Sequence, residues 1–172
     1  QSLSKENFLA GFFAALDDKA LASVDSASMY VNTKAEEIRT KAIEAQYADY
    51  KKENEAFLAE NKSKEGVKTT ASGLQYKVIT EGKGEVPTAE SRVKVNYKGT
   101  LIDGTEFDAR EGMTFSAGHV IKGWTEALTM MPVGSKWELY VPQELAYGSS
   151  ATGKIKPFST LIFEIELLEI EK

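Results

Sequence analysis

The chain has no cysteine, so it can build no disulfide framework, no thiolate nucleophile and no cysteine-containing zinc site. Histidine is almost as scarce. The one copy, His119, would have to serve any Ser-His-Asp arrangement, yet no G-x-S-x-G pattern accompanies it, and a lone histidine in a loop ahead of Val120 and Ile121 reads as a surface or packing residue. Carboxylates are plentiful, but no cluster of histidines with Asp or Glu can form around a metal, and no cofactor is implied. Positive charge is not in excess either. Lys and Arg number 21 against 26 Asp and Glu, a formal net charge of -5, which argues against nucleic acid or an anionic membrane as partner. No apolar run approaches the ~20 residues that a bilayer span needs. The chain opens on Gln1 rather than Met, so it is expected to be a processed chain or an excised fragment, with any signal peptide or lipid-attachment segment upstream. A cysteine-free protein suits oxidising and reducing compartments alike.

Proline is absent from residues 1–64, and there the apolar residues recur at helical spacing. Ser4 is placed to cap a helix carrying Phe8, Leu9, Phe12, Phe13 and Leu16 on one face. A second helix is predicted to start near Ser26 or Ser28 and to run to about Asn61, roughly 50 Å at 1.5 Å per residue. Val31, Ala35, Ile38, Ala42 and Ala45 follow one another at 4-3-4-3 spacing and form a narrow seam of small residues. Beyond Asp49 the helix is charged nearly all round until Phe57 and Leu58, and that stretch is expected to stand in solvent as a connecting rod. Two helices cannot bury the first apolar face between them, so residues 1–66 are expected to associate, as a homodimer, with packing on the following domain as the alternative.

After Gly66 the period changes from helical to two. Leu74, Tyr76 and Val78; Val93, Val95 and Tyr97; Trp137, Leu139 and Val141; and Phe163, Ile165 and Leu167 each alternate with polar residues, as half-buried strands do. Asp103-Gly104 marks a tight hairpin, both central residues being able to take positive φ. One short helix is predicted over residues 124–130, with Trp124, Leu128 and Met131 facing inward before Pro132 ends it. The expected class is α+β: N-terminal helices including one long connecting helix, then a twisted antiparallel sheet wrapped around a short helix over residues 67–172. Residues 148–154 match the G-x-x-x-x-G-K spacing of a phosphate-binding loop. Ile155 stands where the Mg²⁺-binding hydroxyl should be and Pro157 denies a following helix, so the segment reads as a glycine-containing loop.

Across residues 73–170 five ordered blocks carry a resemblance. The run from Val93 to Leu101, with Tyr97 and Gly99, followed by Asp103-Gly104 and Phe107-Asp108, resembles V-x-V-x-Y-x-G-x-L and D-G-x-x-F-D of the FKBP family. Val120-Ile121-Lys122-Gly123-Trp124 is similar to its V-I-x-G-W block, and Met131-Pro132-Val133-Gly134, Leu145-Ala146-Tyr147-Gly148 and the run from Thr160 to Leu168 resemble its later blocks. The helical segment ahead is similar to that of the bacterial macrophage infectivity potentiator subgroup. The resemblance implies a peptidyl-prolyl cis/trans isomerase that assists protein folding, with a chaperone-like binding module for proline-containing or unfolded chains as the alternative.

It also implies a pocket with Trp124 as floor and Tyr97, Phe107, Val120, Ile121, Tyr147 and Phe163 as walls, Asp108 as the polar group beside the proline, and the Ile121 N–H holding a substrate carbonyl. Phe115 and Ile155 belong to the same set, and Met113 stands for a wall residue usually aromatic. The loop between Asp108 and Phe115 is shorter than is usual, with Arg110 as the expected partner of Asp108. Proline-containing polypeptides, macrolides of the rapamycin type and a second copy of the chain are the implied partners. The bacterial periplasm or envelope is the implied location, with the cytoplasm as alternative.

Overall fold

The computed structural model describes residues 24–171, and the helix predicted after Ser4 lies outside them. The division between two compact units falls after Ala42. Helix α1 (Val24–Gln46) runs across that division, and Ser26 and Ser28, where it was expected to start, lie within it. Its seam is uncovered, with Val31 and Ile38 exposed.

The second unit, Ile43–Lys172, contains helix α2 (Ala48–Asn61) and everything after it. Tyr47 separates α2 from α1 with φ -111° and ψ 17°, off the helical values, although Tyr47 N–H still donates to Ile43 O at 2.9 Å and Lys51 N–H to Tyr47 O at 2.8 Å. The i→i−4 ladder is interrupted at this residue, so the single helix expected to run to about Asn61 is two helices. The expectation that α2 stands in solvent is corrected. Asn54 and Asn61 are 2% and 0% exposed. Asn54 Oδ1 accepts the Thr160 N–H at 2.7 Å, Asn61 Nδ2 donates to Gln75 Oε1 at 2.9 Å, and Gln75 Nε2 donates to Leu58 O at 2.9 Å. The helix docks through amides, and periodicity reasoning looks for apolar residues.

Six strands follow: β1 (Val67–Thr69), β2 (Gln75–Thr80), β3 (Arg92–Thr100), β4 (Glu106–Ser116), β5 (Lys136–Val141) and β6 (Leu161–Glu171). They form one antiparallel sheet in the order β1-β2-β5-β6-β3-β4. The alternation read from the sequence has one physical meaning. Val93, Val95, Leu139, Val141, Ile165 and Leu167 share a core with Trp124, Ala127 and Leu128 of helix α3 (Lys122–Leu128). Gly123 lets the helix come this close, since a Cβ there would meet Val141 Cγ1 at 2.5 Å.

Two local expectations change. The Asp103-Gly104 turn has positive φ at Gly104 alone, and Leu101 N–H donates to Thr105 O, so the hairpin loop has three residues and closes on a glycine bulge. The segment after Asp108 is not a loop but part of β4. Pairing jumps from Val95↔Met113 to Tyr97↔Arg110, leaving Glu111 and Gly112 opposite Asn96, with Gly112 at φ +61°. One extra residue is absorbed as a bulge, so the strand stays paired on either side of it.

Candidate active site

The site is assembled where α3 begins against the sheet. Ile121 precedes the helix with φ -56° and ψ 150°, and its carbonyl accepts the Trp124 N–H at 3.0 Å, which turns the Trp124 ring into the hollow of the sheet. Three rings meet that indole nearly at right angles: Tyr97 at 5.0 Å, Phe163 at 5.1 Å and Phe115 at 5.5 Å between centroids. Phe107 meets Phe163 edge-on at 5.5 Å. Edge-to-face contacts suit the ring quadrupoles and fix each ring against its neighbour. Gly99 makes room for the last pair, because a Cβ would lie 2.5 Å from Phe107 Cζ and 2.8 Å from Phe163 Cε1. The glycine of the V-x-V-x-Y-x-G block is thus required by the walls.

These rings line an open cavity of about 690 Å³ together with Asp108, Val120, Ile121, Tyr147 and Ile155. Of the eleven residues singled out from the sequence, ten converge on it. Met113 does not: it sits on edge strand β4 beside the bulge, 38% exposed and outside the lining. The register from Phe115 to Met113 is unbroken, so the two share one face of the strand, and only Phe115 reaches the cavity. Four further residues, His119, Thr152, Gly153 and Lys154, line the rim. Three of them belong to the G-x-x-x-x-G-K segment, which Tyr147 and Ile155 of the expected pocket bracket directly. Thr152 and Ile155 pair as a bridge around Gly153, and Lys154 Nζ reaches Glu106 O at 3.3 Å.

Asp108 is the one carboxylate in the lining. Tyr97 Oη donates to Asp108 Oδ2 at 2.5 Å, and Arg110 Nε lies 3.5 Å from Asp108 Oδ1, on an exposed side of the strand. Burial pushes the Tyr97 phenol up to about 12, and the Asp108 carboxylate pushes the same way through the hydrogen bond and its charge. Tyr97 is therefore a donor at neutral pH, and it holds the carboxylate at the cavity wall. The Trp124 Nε1–H is buried and has no acceptor among the described residues. Among the described residues the arrangement offers an apolar floor, one oriented carboxylate and a main-chain donor at Ile121 without an acceptor, and it offers no nucleophile beside a base.

A family model described as FKBP-type peptidyl-prolyl cis-trans isomerase matches residues 83–168, and one described as the domain amino terminal to it matches residues 1–78. A 22 kDa FKBP-type peptidyl-prolyl cis-trans isomerase of Escherichia coli K12 is 47% identical to the chain, over 99% of this chain and 85% of its own length. This chain belongs to the FKBP-type peptidyl-prolyl cis-trans isomerases. The outer membrane protein MIP of Legionella longbeachae is 51% identical over 71% of this chain and 54% of its own length. The crystal structure of FkpA from Escherichia coli superposes with a TM-score of 0.72 at 36% identity, covering 99% of this chain and 84% of that one. The activity that goes with the FKBP family is acceleration of rotation about X-Pro bonds, a slow step in protein folding. Among the described residues no helix is long and apolar enough to cross a membrane.

Proposed function

We propose that the cavity over Trp124 is where this isomerase binds a prolyl residue and stabilises its amide turned out of plane. The supporting observation is the chemistry of the lining: an open hollow floored by an indole, walled by Tyr97, Phe107, Phe115 and Phe163, with a single carboxylate. Rotation faces a barrier of about 20 kcal/mol because amide resonance must be lost. A twisted amide has less charge separation than a planar one, so a dry aromatic site binds it better than water does, and better than it binds the planar ground state. No bond is made or broken. Val120, Ile121, Tyr147 and Ile155 close the hollow around the ring, and the Ile121 N–H receives a substrate carbonyl.

Asp108 acts as a hydrogen-bond acceptor and a source of field beside the rotating amide, oriented by Tyr97 and flanked by Arg110. Asp108→Asn keeps the shape and removes the charge. It is expected to lower kcat/KM on a proline tetrapeptide by about tenfold, the scale of one charge-assisted contact, with little change in melting temperature. A wild-type rate in this variant rejects the role given to Asp108. A wild-type chain that binds the peptide without accelerating its isomerisation rejects catalysis and leaves the binding module. Rapamycin-type macrolides are expected to compete for the same hollow.

The first unit serves association, and the second, which begins at Ile43 and includes α2, serves catalysis. The exposed seam of α1 supports a homodimer, since small residues at 4-3 spacing pack helix against helix. The bacterial envelope is the location this reading favours, in keeping with the Legionella relative's description as an outer membrane protein. Proteins whose refolding waits on proline are the expected substrates.

A further inference from the structure

The rim segment of the cavity is tied at its far end to helix α2. From the Thr152–Ile155 bridge, which lines the hollow, the chain passes through Pro157 to Phe158, Ser159 and Thr160, all buried. Phe158 has φ +62°, a left-handed conformation that a phenylalanine adopts only where its surroundings impose it. Those surroundings come from two sides. Phe158 N–H donates to Gly148 O at 2.8 Å, closing the loop on itself. Helix α2 supplies the rest: Asn54 Oδ1 accepts the Thr160 N–H at 2.7 Å, the Tyr50 and Ser159 hydroxyls lie 3.0 Å apart, and the Lys51 ammonium sits 5.2 Å from the centre of the Phe158 ring. Asn54 is itself held, its Nδ2 donating to Tyr50 O at 2.7 Å. A buried amide with donor and acceptor both used fixes a backbone position more sharply than an apolar contact does, because any shift leaves two polar groups unpaired.

We propose that helix α2 is a positioning element of the isomerase site, with Asn54 and Tyr50 as positioning residues that set the loop carrying Ile155 and Lys154 and so set how tightly the cavity holds its peptide. This rests on the reading of the cavity as the isomerase site. The loop contributes wall contacts made alike to planar and twisted prolyl amides. Loosening it therefore costs binding more than turnover.

The test is steady-state kinetics on a proline tetrapeptide for Asn54→Ala and Tyr50→Phe in the full chain, with Ile170→Ala as a destabilised control at the far end of β6. Asn54→Ala is expected to raise KM by about fivefold, close to the worth of one hydrogen bond, with kcat held within about twofold. Tyr50→Phe is expected to raise KM about twofold, and it carries the test if Asn54→Ala does not fold. A purely structural role lowers the folded fraction, which depresses apparent kcat and leaves KM alone, as Ile170→Ala should. That pattern in the α2 variants overturns the proposal. The backbone amide resonances of Thr152, Gly153, Lys154 and Ile155, recorded without substrate, are expected to move in both α2 variants and not in Ile170→Ala. Unmoved resonances also overturn it. An inactive wild type would sink the isomerase reading instead, and the resonances would still decide whether α2 sets the loop.

Discussion

Helices α1 and α2 carry the same spacing with opposite chemistry. On α1, Val31, Ala35, Ile38, Ala42 and Ala45 form an apolar seam, yet Ile38 is 57% exposed. On α2, Tyr50, Asn54, Phe57 and Asn61 recur at 4-3-4, and the two amides of that stripe are almost wholly withdrawn from water. Burial follows what a face meets, and polarity decides only how the contact is made. An apolar stripe without a partner stays in solvent, whereas an amide stripe is buried where most of its polar atoms find mates, although Asn61 Oδ1 has none among the described residues. The α2 seam has its mates in Thr160, Ser159 and Gln75.

The contrast can be broken most severely at α1. Ile38→Asp places a charge in the seam and is expected to convert a sedimenting dimer to monomer while leaving the melting of the second unit within about 0.5 kcal/mol, as for exposed sites generally. A monomeric wild type would mean that the α1 seam does not serve self-association.

At α2 the expected cost is one of stability. Asn61→Leu leaves Gln75 Oε1 buried without its donor and should destabilise by about 1–3 kcal/mol in denaturant unfolding. The double variant Asn61→Leu with Gln75→Leu should recover most of that. It strips both members of the pair, and Leu58 O keeps the Lys62 N–H at 3.1 Å. If the double variant is as unstable as the sum of the singles, amide pairing is not what seats the helix.

The smallest effect is a titration. Tyr97 is another polar group drawn out of water, with its folded value raised from near 10 to about 12. Its contribution to stability is whole below about pH 10 and is lost as pH rises through 12, because the unfolded chain gives up that proton first. Phenolate absorbance followed in alkali should show one fewer late-titrating tyrosine in Tyr97→Phe. In Asp108→Asn, Tyr97 should titrate earlier, since the neighbouring negative charge is gone. An unchanged Tyr97 midpoint in Asp108→Asn would mean that the carboxylate is not what holds the phenol.

Much of the catalytic unit was legible before any coordinates. Alternation found β2, β3, β5 and β6, because a sheet with one face on a core writes that period into its sequence. Of the ten expected residues that line the cavity, eight stand in ordered blocks of the resemblance, and Phe115 and Ile155 stand in the segments between them. Three misses share a cause. Strand β1 is too short for a period, the bulge in β4 hides behind Glu111-Gly112, and Met113 lies outside the lining although Phe115, two residues on, belongs to it. None leaves a local mark. The docking of α2 differs: Tyr50, Asn54, Phe57 and Asn61 stood in plain view at helical spacing, and a search for apolar residues passed over them.

Composition alone ruled out thiol chemistry and argued against a nucleic-acid surface, and local pattern assigned the helices, most of the strands and the aromatic residues, since these depend on neighbours a few positions apart. Which rings meet at Trp124, which carboxylate faces them, and that a charged helix would bury its asparagines against Thr160 and Gln75 depended on groups distant in sequence. Those pairings acquire an energy only when the folded chain brings their members within contact distance, so no window of sequence contains them.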